Sequence, residues 1–202
     1  MLLHHIYGLF THPLEEWHDI EKERADNKVL YQGYVAILAL IPVICGYIGT
    51  VHVGWRIAGG APHYLTPESG LILCTLSYIA LLISIFVLGK LIDWIGKTYG
   101  ADIDEKHPRG MSLASYAMTP MFLAGAVALY PDIALNMLVV MAAMAYTVYL
   151  IYSGVPVLMH ITEERGFLFA SSIITMVLVT LVGVRVATVI VWVAFFPPVY
   201  TS

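Results

Sequence analysis

Five apolar runs, each about as long as a bilayer is thick, constrain this chain more than any other feature. A hydrocarbon core of roughly 30 Å takes about 20 apolar residues of helix. The runs Tyr31 to Trp55, Leu71 to Trp94, Met111 to Tyr130, Ile133 to Tyr152 and Phe167 to Phe196 all meet that length. Backbone polar groups in lipid have to be satisfied within the protein, so runs of this kind fold as helices. The expected class is an all-α integral membrane protein with five transmembrane helices.

Composition points the same way, with 59% hydrophobic and only 12% charged residues among 202, outside the soluble globular range. The chain has no internal repeat and no Gly/Ser linker. Two regions are expected: a cytoplasmic amphipathic segment over 1–30 and a five-helix membrane domain over 31–202. Gly59-Gly60-Ala61-Pro62, Asp102 to Gly110, Tyr130-Pro131-Asp132 and Glu163-Glu164-Arg165-Gly166 separate the runs. The third connection is so short that helices three and four should form a tight hairpin, with Asp132 near the start of the fourth.

Flanking charge sets an expected orientation. Lys22, Arg24 and Lys28 precede the first run, Lys90, Lys97, Lys106 and Arg109 gather about the second connection, and Arg165 lies in the fourth, whereas the opposite side has only Arg56. Lys and Arg near span ends stay on the cytoplasmic side. This predicts a cytoplasmic N-terminus and a periplasmic C-terminus. Met1 to Phe10 is too short and lacks the basic start and cleavage site of a signal peptide, so the chain is expected to be kept whole. A net charge of −4 offers no basic patch, and nucleic acid is excluded as a partner. Cys45 and Cys74 fall inside proposed spans and read as small buried hydrophobes.

Pro13 to Lys28 reads as a short helix, with Pro13, Glu15 and Glu16 in its first turn and Arg24 and Lys28 toward its end, an order that suits the helix dipole. Leu14, Trp17 and Ile20 are spaced to line one face. The same region holds His4, His5, His12 and His18 with Glu16 and Asp19 nearby. Imidazoles and carboxylates on one face can hold zinc. Their spacing matches no established site, however, so the expectation is solvated histidines, no metal and no cofactor. His52, His63 and Glu68 make a looser set still.

Pro42, Pro120 and Pro156 interrupt apolar runs, each removing a backbone hydrogen bond that neighbours must replace. Gly46, Gly49, Ala124, Ala128 and Gly154 accompany them, and small residues let helices approach closely. Packing kinks are the plain reading; broken helices also line transporter sites. Arg185 is the one charge well inside a run. Its side chain can snorkel outward, stack near Trp192, or pair with Asp132, and an intramembrane charge also marks a possible ion or substrate site.

Three stretches carry a family resemblance. Gly8-Leu9-Phe10-Thr11-His12-Pro13 runs into Glu16-Trp17; Ser115-Tyr116-Ala117-Met118-Thr119-Pro120 opens the third run and continues into Phe122-Leu123-Ala124-Gly125; Tyr152-Ser153-Gly154-Val155-Pro156-Val157-Leu158-Met159 closes the fourth before Glu163-Glu164-Arg165-Gly166. In this order they resemble the Yip (Ypt-interacting protein) family, in particular its bacterial inner-membrane branch, the YohC-like proteins. The resemblance implies a five-helix Yip fold, a bacterial inner-membrane address and a cytoplasmic N-terminus. It draws attention to Tyr116, Pro120, Gly154 and Pro156, beside Arg185 and Asp132, as candidate functional residues. Eukaryotic relatives meet Rab GTPases through a longer region with an Asp-Leu-Tyr-Gly-Pro element. Only Tyr7-Gly8 corresponds here, so a Rab-type GTPase is not an expected partner.

No nucleophile, base and orienting group share a motif, and the chain is expected not to be an enzyme. The leading expectation is a non-enzymatic membrane organiser or adaptor, in contact with the bilayer and with a membrane-protein partner or a second copy of itself. The alternative is a small-solute or ion transporter with a site among the proline-interrupted helices near Arg185.

Overall fold

The computed structural model of the chain describes residues 4–23, 25–56, 61–101 and 109–201. Arg24, Lys106, the Gly59-Gly60 pair, Ser202 and most of the Asp102 to Gly110 connection lie outside them. Five helices are long and apolar enough to cross a membrane: span 1 (Asn27–Val53), span 2 (Pro67–Tyr99), span 3 (Gly110–Leu129), span 4 (Ile133–Met159) and span 5 (Glu163–Phe195). Two short helices precede them, α1 (His4–Thr11) and α2 (Pro13–Glu23).

Several ends differ from the sequence expectation for local reasons. Span 1 begins before Tyr31 because Asp26 caps it, accepting from the Lys28 N–H. Span 2 likewise starts at Pro67 behind Thr66, whose side chain accepts from the Ser69 N–H, with proline at a position where its missing N–H costs nothing. Span 4 does not stop near Tyr152. It runs through Pro156 to Met159 and ends where His160 adopts a left-handed conformation, φ 49°. Asp132 is the N-cap of that helix, its side chain accepting from the Leu135 N–H at 2.8 Å.

The three prolines act differently. Pro42 and Pro156 sit inside continuous helix, whereas at Pro120 the helix breaks. There Met118 leaves helical geometry (φ −85°, ψ 0°), and Pro120 opens a second segment, Thr119–Ala124. Span 1 also carries π-helical turns at Tyr31–Val35 and Gly49–Val53. Its kink meets the third span, since a side chain on Gly125 would run into Pro42.

Span 3 is the centre of the bundle. In its most apolar stretch 56% of the residues are buried, against 11 to 28% in the other four, and spans 1, 2 and 4 pack on it while span 5 closes over spans 2 and 4. The core is concentrated at the end carrying α1 and α2: Trp17, Tyr34, Tyr116, Phe169, Ile92 and Leu158 are all fully buried there. Hydroxyls join the helices at this end, Tyr99 with Ser172 at 2.6 Å and Tyr152 with Ser171 at 2.9 Å. Toward the opposite end spans 4 and 5 expose their apolar side chains, Met137, Val179 and Phe195 among them, as surface meant for acyl chains would. Two short strands tie off that end, β1 (Tyr64–Leu65) pairing antiparallel with β2 (Tyr200–Thr201).

Candidate functional site

Residues from all three family-like stretches converge beneath the core end. On α2, Trp17 and Ile20 are buried as their spacing predicts, but Leu14 is 56% exposed and Glu16 takes its place with 2% exposure. Helical geometry explains the exchange. At about 100° per residue, Glu16, Ile20 and Trp17 span one arc of roughly 100°, and Leu14 lies beyond its Trp17 edge.

Glu16 is accommodated because residue 8 is glycine: a Cβ there would coincide with the Glu16 carboxylate. The carboxylate meets the His5 ring at Nδ1, and Glu23 meets the other ring nitrogen at 2.6 Å. His12 Nε2 lies 3.7 Å from the second Glu16 oxygen. His5 is itself buried and stands edge-on to Tyr116, ring centroids 5.2 Å apart. Tyr116 in turn packs on Tyr34 at 4.8 Å, and the Tyr34 hydroxyl pairs with Thr119 Oγ1 at 2.6 Å. A chain of ring contacts, ending in one hydrogen bond, therefore leads from α1 and α2 to the break in span 3, next to Pro120.

Beside it, Trp17 lies flat on Gly154. A Cβ on that glycine would stand 2.6 Å from the indole, whose Nε1–H donates to Ser153 at 3.1 Å. Tyr146 of span 4 donates its hydroxyl to the Leu9 carbonyl of α1 at 2.8 Å. Pro156 faces span 5, where a side chain on Gly166 would press on its ring. Arg109 completes the arrangement, a residue the sequence marks only as a topology charge. It donates to the Leu158 carbonyl at 2.8 Å, contacts His160 at 2.7 Å and lies 3.5 Å from Glu21 of α2. One guanidinium thus caps the end of span 4 and holds α2 to it.

An open groove of about 720 Å³ runs along this junction, lined by Leu14, His18 and Glu21 of α2, by Ser153 and His160, and by Phe167 of span 5. Leu14 and Phe167 are both more than half exposed. The groove joins apolar anchors to carboxylates and imidazoles at the edge of the expected bilayer.

Arg185 and Asp132 belong to the opposite half. Arg185 borders a cavity of about 210 Å³ between Pro42, Met118, Phe122 and Gly125. Its wall is apolar apart from Ser84, Thr180 and Arg185 itself. Among the described residues no ion pair joins Arg185 to Asp132, whose carboxylate is occupied as the cap of span 4, and the cation over an aromatic ring is Lys90 on Phe86, not Arg185 on Trp192. The structure thus places Tyr116, Gly154 and Pro156 in the half of the bundle that carries α1 and α2, with Pro120 at the mid-span break of span 3, and leaves Arg185 and Asp132 apart from them and from each other.

Five apolar helices, the third of them broken and central, with a helix pair folded under one end, define a multi-pass α-helical membrane protein. The Yip1 domain model matches residues 7–184. The chain is 38% identical over 188 residues to the inner membrane protein YohC of Escherichia coli (strain K12), covering 93% of this chain and 95% of the relative. The inner membrane protein YohC of Escherichia coli O6:H1 matches to the same extent. No solved structure matches. The chain belongs to the Yip family and is a multi-pass protein of the bacterial inner membrane.

Proposed function

We propose that this protein is a non-enzymatic membrane organiser or adaptor that receives a membrane-protein or lipid partner at its α2 end. The observation that carries the reading is the groove beside α2. Trp17 on Gly154, the Glu16 pocket and Arg109 fix α2 against spans 3 and 4, so the groove has firm walls, and Leu14 and Phe167 stand in it uncovered. Exposed apolar side chains rimmed by polar groups are what an interaction site presents. We place this end in the cytoplasm, because Lys28, Lys97, Arg109 and Arg165 all lie there and positive charge flanking spans is retained inside.

Transport is the rival reading, motivated by Arg185 beside the cavity between the Pro42 and Gly125 kinks. A transported solute needs polar groups near the midplane. The apolar wall around Arg185 favours a packed or lipid-filled space over a solute path. Co-purification from native membranes tests the adaptor reading. Wild type should bring a reproducible partner through several mild detergents, and Leu14→Arg should lose it; recovery of the lone polypeptide in every detergent would count against the proposal.

A further inference from the structure

We propose that His4, His5 and Glu16 form a binding site for a divalent transition-metal ion of the zinc type, closing α1 onto α2. Ligand atoms of these three side chains lie within 4.8 Å of one another, close enough for small rotations to bring each to the roughly 2.0–2.2 Å that zinc takes with nitrogen and oxygen. Two imidazoles and one carboxylate are a fitting donor set for this class of ion.

Three further observations point to a cation. Glu16 is 2% exposed and His5 5% exposed, and a buried carboxylate has to be compensated by charge or hydrogen bonds. Among the described residues the ionisable partners of Glu16 are the imidazoles of His5 and His12, with no lysine or arginine. An ionised carboxylate only accepts, so a His5 nitrogen facing one carries either a proton or a metal ion. The outer partner is also in place. Glu23 holds His5 Nε2 at 2.6 Å while Nδ1 faces Glu16, the carboxylate–histidine–metal order in which the far ring N–H is fixed by a second carboxylate. His12 Nε2, 3.7 Å from the other Glu16 oxygen, stands where a fourth ligand can enter.

The test uses the full chain in detergent with any affinity tag removed, dialysed against Zn2+ and analysed for bound metal, with Co2+ absorption as a coordination probe. Wild type should retain one Zn2+ per chain and give a tetrahedral Co2+ spectrum. His4→Ala alters an exposed ring and should keep the fold while weakening Zn2+ binding by at least about tenfold, and Glu23→Gln should weaken it by about 10–100-fold through His5. His18→Ala and His52→Ala should bind as wild type does. Wild type that retains no Zn2+, or His4→Ala and Glu23→Gln that both bind as tightly as wild type, would overturn the site.

Discussion

At Gly154 the lack of a side chain is what admits Trp17, whose indole would stand 2.6 Å from a Cβ. Gly154→Ala should therefore push the indole off span 4 and lower stability by about 1–3 kcal/mol, the usual cost of overpacking. Gly46→Ala is the control, because nothing lies within 4 Å of that position; it should be neutral or stabilising by up to about 1 kcal/mol, as helix propensity predicts. Equal melting temperatures for the two variants in one detergent would contradict the contact. Arg185 gives a second prediction at this scale. Arg185→Lys should be well tolerated, since a flexible ammonium also reaches the headgroups. With no ion pair between them, Arg185→Leu and Asp132→Ala should be additive within about 0.5 kcal/mol, Asp132→Ala alone costing about 1 kcal/mol as a lost cap. A larger coupling in the double-mutant cycle would restore the pairing. Sequence motifs point to Tyr116, Pro120, Gly154 and Pro156; Tyr116, Gly154 and Pro156 lie in the α1/α2 half of the bundle, and Pro120 marks the mid-span break of span 3. His5 and Glu16 stand out in the sequence only as members of a loose group of imidazoles and carboxylates; their burial and mutual contact are not legible there, because burial of a carboxylate on α2 depends on α1 folding back over it, and pairs 11 residues apart leave no helical periodicity.

The elements were legible to the extent that hydropathy marks them. All five spans lie where the apolar runs put them, yet their ends follow caps that hydropathy does not record: Asp26, Thr66 and Asp132 start helices, and His160 with Arg109 ends one. The pairing of Tyr64–Leu65 with Tyr200–Thr201 was invisible for another reason. Two-residue strands separated by most of the chain have no local pattern. Pro42 and Pro156 lie within continuous helix, as packing kinks do, with neighbouring helices sheltering the backbone; only at Pro120 does the helix part. At this scale Arg109 makes the sharpest prediction, because it joins the end of span 4 to Glu21 of α2. Arg109→Ala should free α2 from span 4, seen as faster proteolysis after Lys22 and a red shift of Trp17 emission. Arg109→Lys should recover only part of this, a single ammonium being a poor substitute for a guanidinium that bonds several partners. Unchanged proteolysis in Arg109→Ala would show that Trp17 and the Glu16 pocket hold α2 without Arg109.

For the whole molecule, charge and packing describe the same asymmetry. The end with the basic residues is also the end with the buried core, the clamped α2 and the groove, while the other end spreads apolar surface toward the bilayer. Its orientation is checked by fusing a reporter that is active only outside the cytoplasm. Signal is expected after Ser202 and none after Lys106, and reversed signals would overturn the assignment. Whether a partner is received in the α2 groove is decided by a photo-crosslinking residue placed in living membranes at His18, inside the groove, and at Ile79, on the exposed face of span 2. A discrete adduct is expected from His18 that disappears when Phe167→Arg is added, with none of that size from Ile79. No adduct from His18, or the same products from both positions, would contradict it.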